Sequence, residues 1–202
     1  MFGILSTRMP AVRIDGSTVY VRPPQKRDRA EWVHLRQLSR EFLVPWEPAW
    51  PPDAATSAAF NRRYRRFCLD WQSRSGFAFF IFEQSSDALT GGITLSNVRR
   101  GVAQCGNIGY WMGEPFAGQG IMSEAVALVL SFSFDTLGLH RVEAACLPHN
   151  DASRHLLLKT GFHEEGIARR YLRINGRWQD HVTHAILRDD FKKSKGRLPD
   201  LQ

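Results

Sequence analysis

The stretch PFAGQGIMSEAVALVLSF, Pro115–Phe132, sets Gly118 and Gly120 two residues apart, immediately ahead of a segment in which Ile121, Ala125, Leu128, Val129 and Phe132 recur at helical spacing. Ser123 and Glu124 occupy the first turn of that helix. The first N–H groups of a helix lack intrahelical partners and carry the positive end of its dipole, so an anion is favoured there. Glycines without a Cβ can take positive φ and let a ligand oxygen approach the chain, which suits a phosphate. A lone Gly-x-Gly is also what an ordinary tight turn before a core helix contains, so its surroundings decide the reading.

Those surroundings alternate. Asn107–Met112 (NIGYWM) predicts a strand before the glycines and Arg141–Cys146 (RVEAAC) a strand after the helix, which makes a right-handed parallel crossover. Upstream, Ser17–Arg22 reads as a first strand closed by Pro23-Pro24. Lys26–Phe42 reads as a helix burying Trp32, Leu35 and Leu38. Val44–Pro52 (VPWEPAWPP) is a stiff irregular loop. Asp53 or Thr56 caps a second helix, with Phe60, Tyr64, Phe67 and Trp71 on one stripe and Arg62, Arg63, Arg65 and Arg66 elsewhere. Phe77–Glu83 and Leu89–Val98 form a central β-hairpin. Downstream, Asn150–Thr160 is a short helix stopped by Gly161, and Phe162–Arg173, an Asn175-Gly176 turn and Arg177–Leu187 make a terminal hairpin. The chain reads as one α+β domain over residues 17–188, with an N-terminal extension at 1–16 and a polar tail at 189–202.

The bulk properties agree with a globular domain. The 202 residues are 43% hydrophobic and 23% charged, and 27 Lys and Arg against 20 Asp and Glu give a net charge of +7. A basic balance favours anionic partners such as a nucleotide-like cofactor, RNA or a ribosomal surface. Cys68, Cys105 and Cys146 make neither a metal-type pair nor an even disulfide framework, and no run reaches the ~20 apolar residues of a membrane span. A cytoplasmic protein without a membrane partner is expected.

Two phosphate-binding alternatives fail on named residues. A dinucleotide fingerprint asks for a third glycine where Ser123 stands and for an acidic residue ending the next strand. An NTPase phosphate loop asks for Lys-Ser/Thr after its last glycine, and Gly120 is followed by Ile121. The ordered set GYWM, PFAGQGIMSEAV, a strand and HNDASRHLLLKTGF resembles instead the GCN5-related N-acetyltransferase (GNAT) family. The Asn150-x-x-Ser153 pair, Gly161-Phe162 and the ending EEGIARRYLRINGRWQDH resemble the branch that acetylates the N-terminal alanine or serine of ribosomal proteins. The resemblance covers Ser17 to Leu187, and its motifs are specific as an ordered group. Pro115 departs from the Gln or Arg that the family usually places ahead of its glycines.

That resemblance implies a mixed central sheet with flanking helices, splayed at the crossover to bind acetyl-CoA. The pyrophosphate would lie over Ala117, Gly118, Gln119, Gly120, Ile121 and Met122, and the pantetheine arm along Tyr110–Met112. Trp111 or Met112 would supply backbone amides to the oxyanion. Asn150 would bind the arm through its amide, or cap its helix, or both. Many relatives carry a general-acid Tyr where Leu157 stands, so Ser153 is the expected partner of the departing thiolate. Glu165 is the first choice for the base, with Glu83 and Asp180 as alternatives. A metal is not expected, because His181 and His184 at i, i+3 on a strand point to opposite faces. The implied activity is acetyl transfer from acetyl-CoA to a primary amine, foremost the N-terminus of a ribosomal protein, with possible ribosome contact and no direct DNA binding. A small-molecule amine acceptor and a non-catalytic ribosome- or RNA-binding module remain as alternatives.

Overall fold

The computed structural model describes residues 9–195; the remainder of the expected N-terminal extension (1–8) and of the expected tail (196–202) lies outside the described residues. Among the described residues the strands are β1 (Ile14–Asp15), β2 (Val19–Arg22), β3 (Phe77–Glu83), β4 (Leu89–Arg99), β5 (Cys105–Met112), β6 (Arg141–Cys146), β7 (His163–Ile174) and β8 (Arg177–Leu187). The helices are α1 (Arg29–Leu38), α2 (Arg40–Leu43), α3 (Ser57–Ser73), α4 (Ile121–Ser131), α5 (Asp151–Lys159) and α6 (Arg188–Lys195).

The strands form one mixed sheet in the order β1-β2-β3-β4-β5-β6-β8-β7. All neighbours are antiparallel except β5 and β6, which the α4 crossover makes parallel. Their pairing is brief: Cys105 faces Arg141, Gly106 faces Val142 and Asn107 faces Glu143. Beyond Asn107, β5 pairs only with β4 and β6 only with β8, so the sheet splays open between them.

Alternation along the strands builds a core on each side of the sheet. Phe77, Phe79, Ile93, Leu95, Ile108 and Val142 pack under α4 with Ala125, Val126 and Val129, and Leu157 of α5 joins the same layer. On the other side Tyr20, Phe80 and Phe82 meet Trp32 and Leu35 of α1 and Phe60 and Tyr64 of α3. This two-sided burial is why FAFFIFE is apolar almost throughout.

Several expectations are corrected. The helix expected over Lys26–Phe42 is a 3-10 turn, Lys26–Asp28, followed by α1 and α2 with a break at Ser39. Ser39 is fully buried, and its hydroxyl accepts the N–H of Glu114 at 2.9 Å, which ties the break to the end of β5. Leu38, expected in the buried stripe, is 54% exposed because the break ends α1 at that residue. The sheet begins upstream of Ser17, since Ile14 and Asp15 pair with β2. The segment after Asp189 continues as α6, whose Phe191 is buried against Phe134 at a ring separation of 5.4 Å. Of the two proposed caps for α3, Thr56 accepts the N–H of Ala59, whereas Asp53 pairs with Arg62.

Candidate active site

The Gly-x-Gly segment has the backbone that its sequence calls for. Gly118 and Gly120 sit at φ 76° and 82°, and Gly120 is the N-cap of α4. Only glycine holds such dihedrals without strain. Among the described residues, none accepts a hydrogen bond from the backbone N–H groups of Gly118 to Met122. Ser123 and Glu124 already donate to the carbonyl of Gly120. A Cβ built on either glycine would meet nothing within 4 Å, so the cradle is open to solvent. Gln119 turns back to donate to the carbonyl of Pro115 at 2.9 Å, bracing the loop with the side chain at hand. The residues therefore fit a diphosphate: free amides, a helix N-terminus and no side chain in the way.

The splay begins beside this cradle. Gly113 donates its N–H to Thr90 of β4. Backbone groups alternate along the ladder, so Trp111 also faces β4 whereas Tyr110 and Met112 direct theirs into the splay. Of the two amides expected for the oxyanion, that of Met112 points into the splay and that of Trp111 toward β4. The Trp111 indole is packed instead over Gly92, where a Cβ would come within 2.5 Å of its Nε1, and lies 5.0 Å from the Arg36 guanidinium.

Across the splay stands the N-terminus of α5. Asn150 caps it, its Oδ1 accepting the N–H of Ser153 at 3.1 Å, which leaves the amide NH2 to donate elsewhere. Ser153 Oγ lies 2.7 Å from the Tyr110 hydroxyl, so one hydrogen bond joins the two walls. Burial pushes the Tyr110 phenol far above its ordinary value, with Ser153 acting in the opposite direction. The Cys146 thiol of β6 adjoins the same serine; burial raises it and the Ser153 hydrogen bond lowers it. The sequence had named Tyr110 only as part of a strand, although alternation in NIGYWM places it on the face shared by Ile108, toward α5.

On the opposite face of the sheet, a cavity of about 610 Å³ opens where the splay starts. Asn107 and Glu143, the last paired residues of β5 and β6, lie in its lining with Thr94 and Ser96 of β4, Asp70 of α3 and Tyr171 of β7. Glu143, unremarked in the sequence, accepts from Arg99 and Arg141 at 2.9 Å each. Glu165 is fully engaged by the same Arg141, whose guanidinium takes both carboxylate oxygens. That pairing holds the Glu165 carboxyl below its ordinary value. Glu83 is tied to Ser86 in the β3–β4 turn, and Asp180 accepts the N–H of Arg170 at 2.8 Å in a bulge of β7. His181 and His184 are both buried, and no group of three or more His, Cys, Asp or Glu disposed to hold a metal occurs among the described residues.

The Trp/Pro-rich loop is held between α1 and the β7–β8 hairpin. Arg36, 3% exposed, forks onto Glu47 and stacks 4.2 Å from the Trp50 ring. The Glu47 carbonyl accepts the N–H of Asn175 at the tip of the β7–β8 hairpin, and Trp46 lies 5.6 Å from the ring of His149.

Comparison with known proteins agrees with this geometry. Residues 18–163 match the sequence model of the acetyltransferase (GNAT) domain. The chain is 38% identical over 177 residues to the probable N-acetyltransferase YjcK of Bacillus subtilis, covering 88% of this chain and 98% of that protein. It is 32% identical over 191 residues to the [ribosomal protein uS5]-alanine N-acetyltransferase of Escherichia coli, covering 95% and 98%. Its fold superposes on Mycobacterium smegmatis RimJ, solved in complex with CoA-disulfide, with a TM-score of 0.81 and 31% identity over 94% of this chain and 88% of that one. With its glycine cradle at the head of α4 and its sheet splayed between β5 and β6, the chain belongs to the GNAT family and is an acetyl-CoA-dependent N-acetyltransferase.

Proposed function

We propose that this enzyme acetylates the N-terminal α-amino group of a protein, with the N-terminal alanine or serine of a ribosomal protein as its acceptor class and the cytoplasm as its site of action. One observation carries the reading: the sheet splays open beyond the facing pair Asn107 and Glu143, and both residues of that pair line a cavity of about 610 Å³ on the α3 face. In this reading a thioester lies along the splay and an amine enters from the α3 face, toward the residues where the splay begins. The Escherichia coli relative, a [ribosomal protein uS5]-alanine N-acetyltransferase, supports the choice of acceptor.

In this reading the amides of Gly118 to Met122 hold the diphosphate and the splay-facing groups of Tyr110 and Met112 hold the pantetheine arm, with the Asn150 NH2 as a further donor. Acetyl-CoA supplies the activated acyl group. An N-terminal amine with pKa of about 8 is partly neutral near pH 7, so a strong base is not required. Glu165, the base nominated by sequence, is held ionised by Arg141 and serves better as an ion-pair strut; an unaltered pH–rate profile in Glu165→Gln would support that assignment. Mass spectrometry of the protein with acetyl-CoA and peptides starting in Ala, Ser or Met, alongside small amines, tests the function. Acetyl gain confined to peptide N-termini supports it. Acetylation of small amines alone, or no product despite acetyl-CoA binding, overturns it.

A further inference from the structure

We propose that Tyr110 positions the Ser153 hydroxyl as hydrogen-bond donor to the departing sulfur, supplying from β5 the polar group that is missing at Leu157 of α5. This rests on the acetyltransferase reading above. The geometry is specific: the two hydroxyl oxygens are 2.7 Å apart across the splay, one on the strand that borders the thioester path and one on the opposite helix. Leu157 is 1% exposed in the core, so the helix offers no hydroxyl at that place.

Donor order follows from the chemistry of the two groups. A phenol is the stronger acid and the better donor, and an alkanol oxygen is the better acceptor. Ser153 is the only hydrogen-bond partner of the half-buried Tyr110 hydroxyl among the described residues, so the phenol O–H has no other protein group to donate to. With Tyr110 donating to Ser153 Oγ, the serine proton turns away from the strand. It is then free for a second acceptor: the Cys146 thiol, which a hydrogen bond from the serine lowers in the free enzyme, or, in this proposal, the coenzyme sulfur. Arg154 and Glu164 act on Cys146 from further off, with opposite signs. During transfer the acceptor nitrogen bonds to the acetyl carbon and the C–S bond breaks with its electron pair staying on sulfur. Nitrogen releases one proton to water and the product thiol takes one up, so the exchange balances without another reactant. Ser153 stabilises the sulfur while it is anionic, and Tyr110 fixes the direction of that bond.

The test uses the full chain and its Tyr110→Phe, Ser153→Ala and doubly substituted variants. Ultraviolet thiolate absorbance of bound CoA, taken as the difference from free enzyme, gives the pH at which its thiol ionises. Both single variants are expected to raise that pH, Ser153→Ala by roughly one pH unit, on the scale of one hydrogen bond to a charged group. Tyr110→Phe should lower kcat about tenfold with KM for acetyl-CoA unchanged, and the double variant should be no slower than Ser153→Ala. Tyr110→Phe keeps the ring; should it fail to fold, the thiol titration of Ser153→Ala still decides whether the serine contacts sulfur. A bound thiol that titrates in Tyr110→Phe as in the parent, or in Ser153→Ala as in the parent, or rate losses that multiply in the double variant, would overturn the proposal alone. A parent whose melting temperature does not rise with acetyl-CoA would overturn the acetyltransferase reading and this proposal with it.

Discussion

Replacing Gly120 by alanine asks a side chain to sit at φ 82°, in a region that costs an L-residue roughly 1–2 kcal/mol. No atom lies within 4 Å of the new Cβ, so the cost is conformational rather than steric. Gly120→Ala is expected to lose about 1 kcal/mol in urea unfolding and to reduce the rise in melting temperature with acetyl-CoA. Glu124, one turn further on, accepts from the backbone N–H and hydroxyl of both Ser17 and Thr18. Burial pushes its carboxyl up, but these bonds outweigh it and the net shift is below the ordinary 4.5. A lowered carboxyl contributes stability above its ordinary value and loses it as pH falls through the folded one. The stability difference between parent and Glu124→Gln should therefore shrink below pH 4.5 in acid titration followed by circular dichroism.

Elements follow from pattern where the pattern is long, and from partners where it is not. The Arg22–Asp28 pair joins β2 to the turn before α1 with both side chains under 10% exposed, and Asp28 also accepts the N–H of Gln25. Asp28→Ala strands the arginine in a buried place and is expected to cost about 3–5 kcal/mol in denaturant unfolding. Neither residue announced this in sequence, because two charged residues six apart look like ordinary surface. The central hairpin, the crossover and the Asn175-Gly176 turn were legible, as alternation, helical spacing and positive-φ residues are local properties. The break at Ser39 was not, because the carbonyl-like role of its hydroxyl toward Glu114 depends on a contact 75 residues away. The same limit applied to the site. Gly118 and Gly120 could be read from the chain, whereas the meeting of Tyr110 with Ser153, and the occupation of Glu165 by Arg141, required strands to be set side by side.

At the scale of the molecule, the C-terminal segment that composition marks as polar closes the core through one residue. Phe191 is 3% exposed in the layer that contains Phe134 and Leu139, so Phe191→Ala should destabilise the fold by about 3–5 kcal/mol. Its thermal unfolding compared with that of Lys192→Ala, an exposed neighbour, separates lost packing from lost helix. The brief β5–β6 ladder has a consequence for the whole sheet. Strands β1–β5 form one leaf and β6, β8 and β7 another, stitched along a seam of only three facing residue pairs. A tear in the native state would start there. Amides of Tyr110 and Met112 should exchange with deuterium quickly in the free protein, and slowly once a bound acyl donor acts as the missing rungs between the leaves.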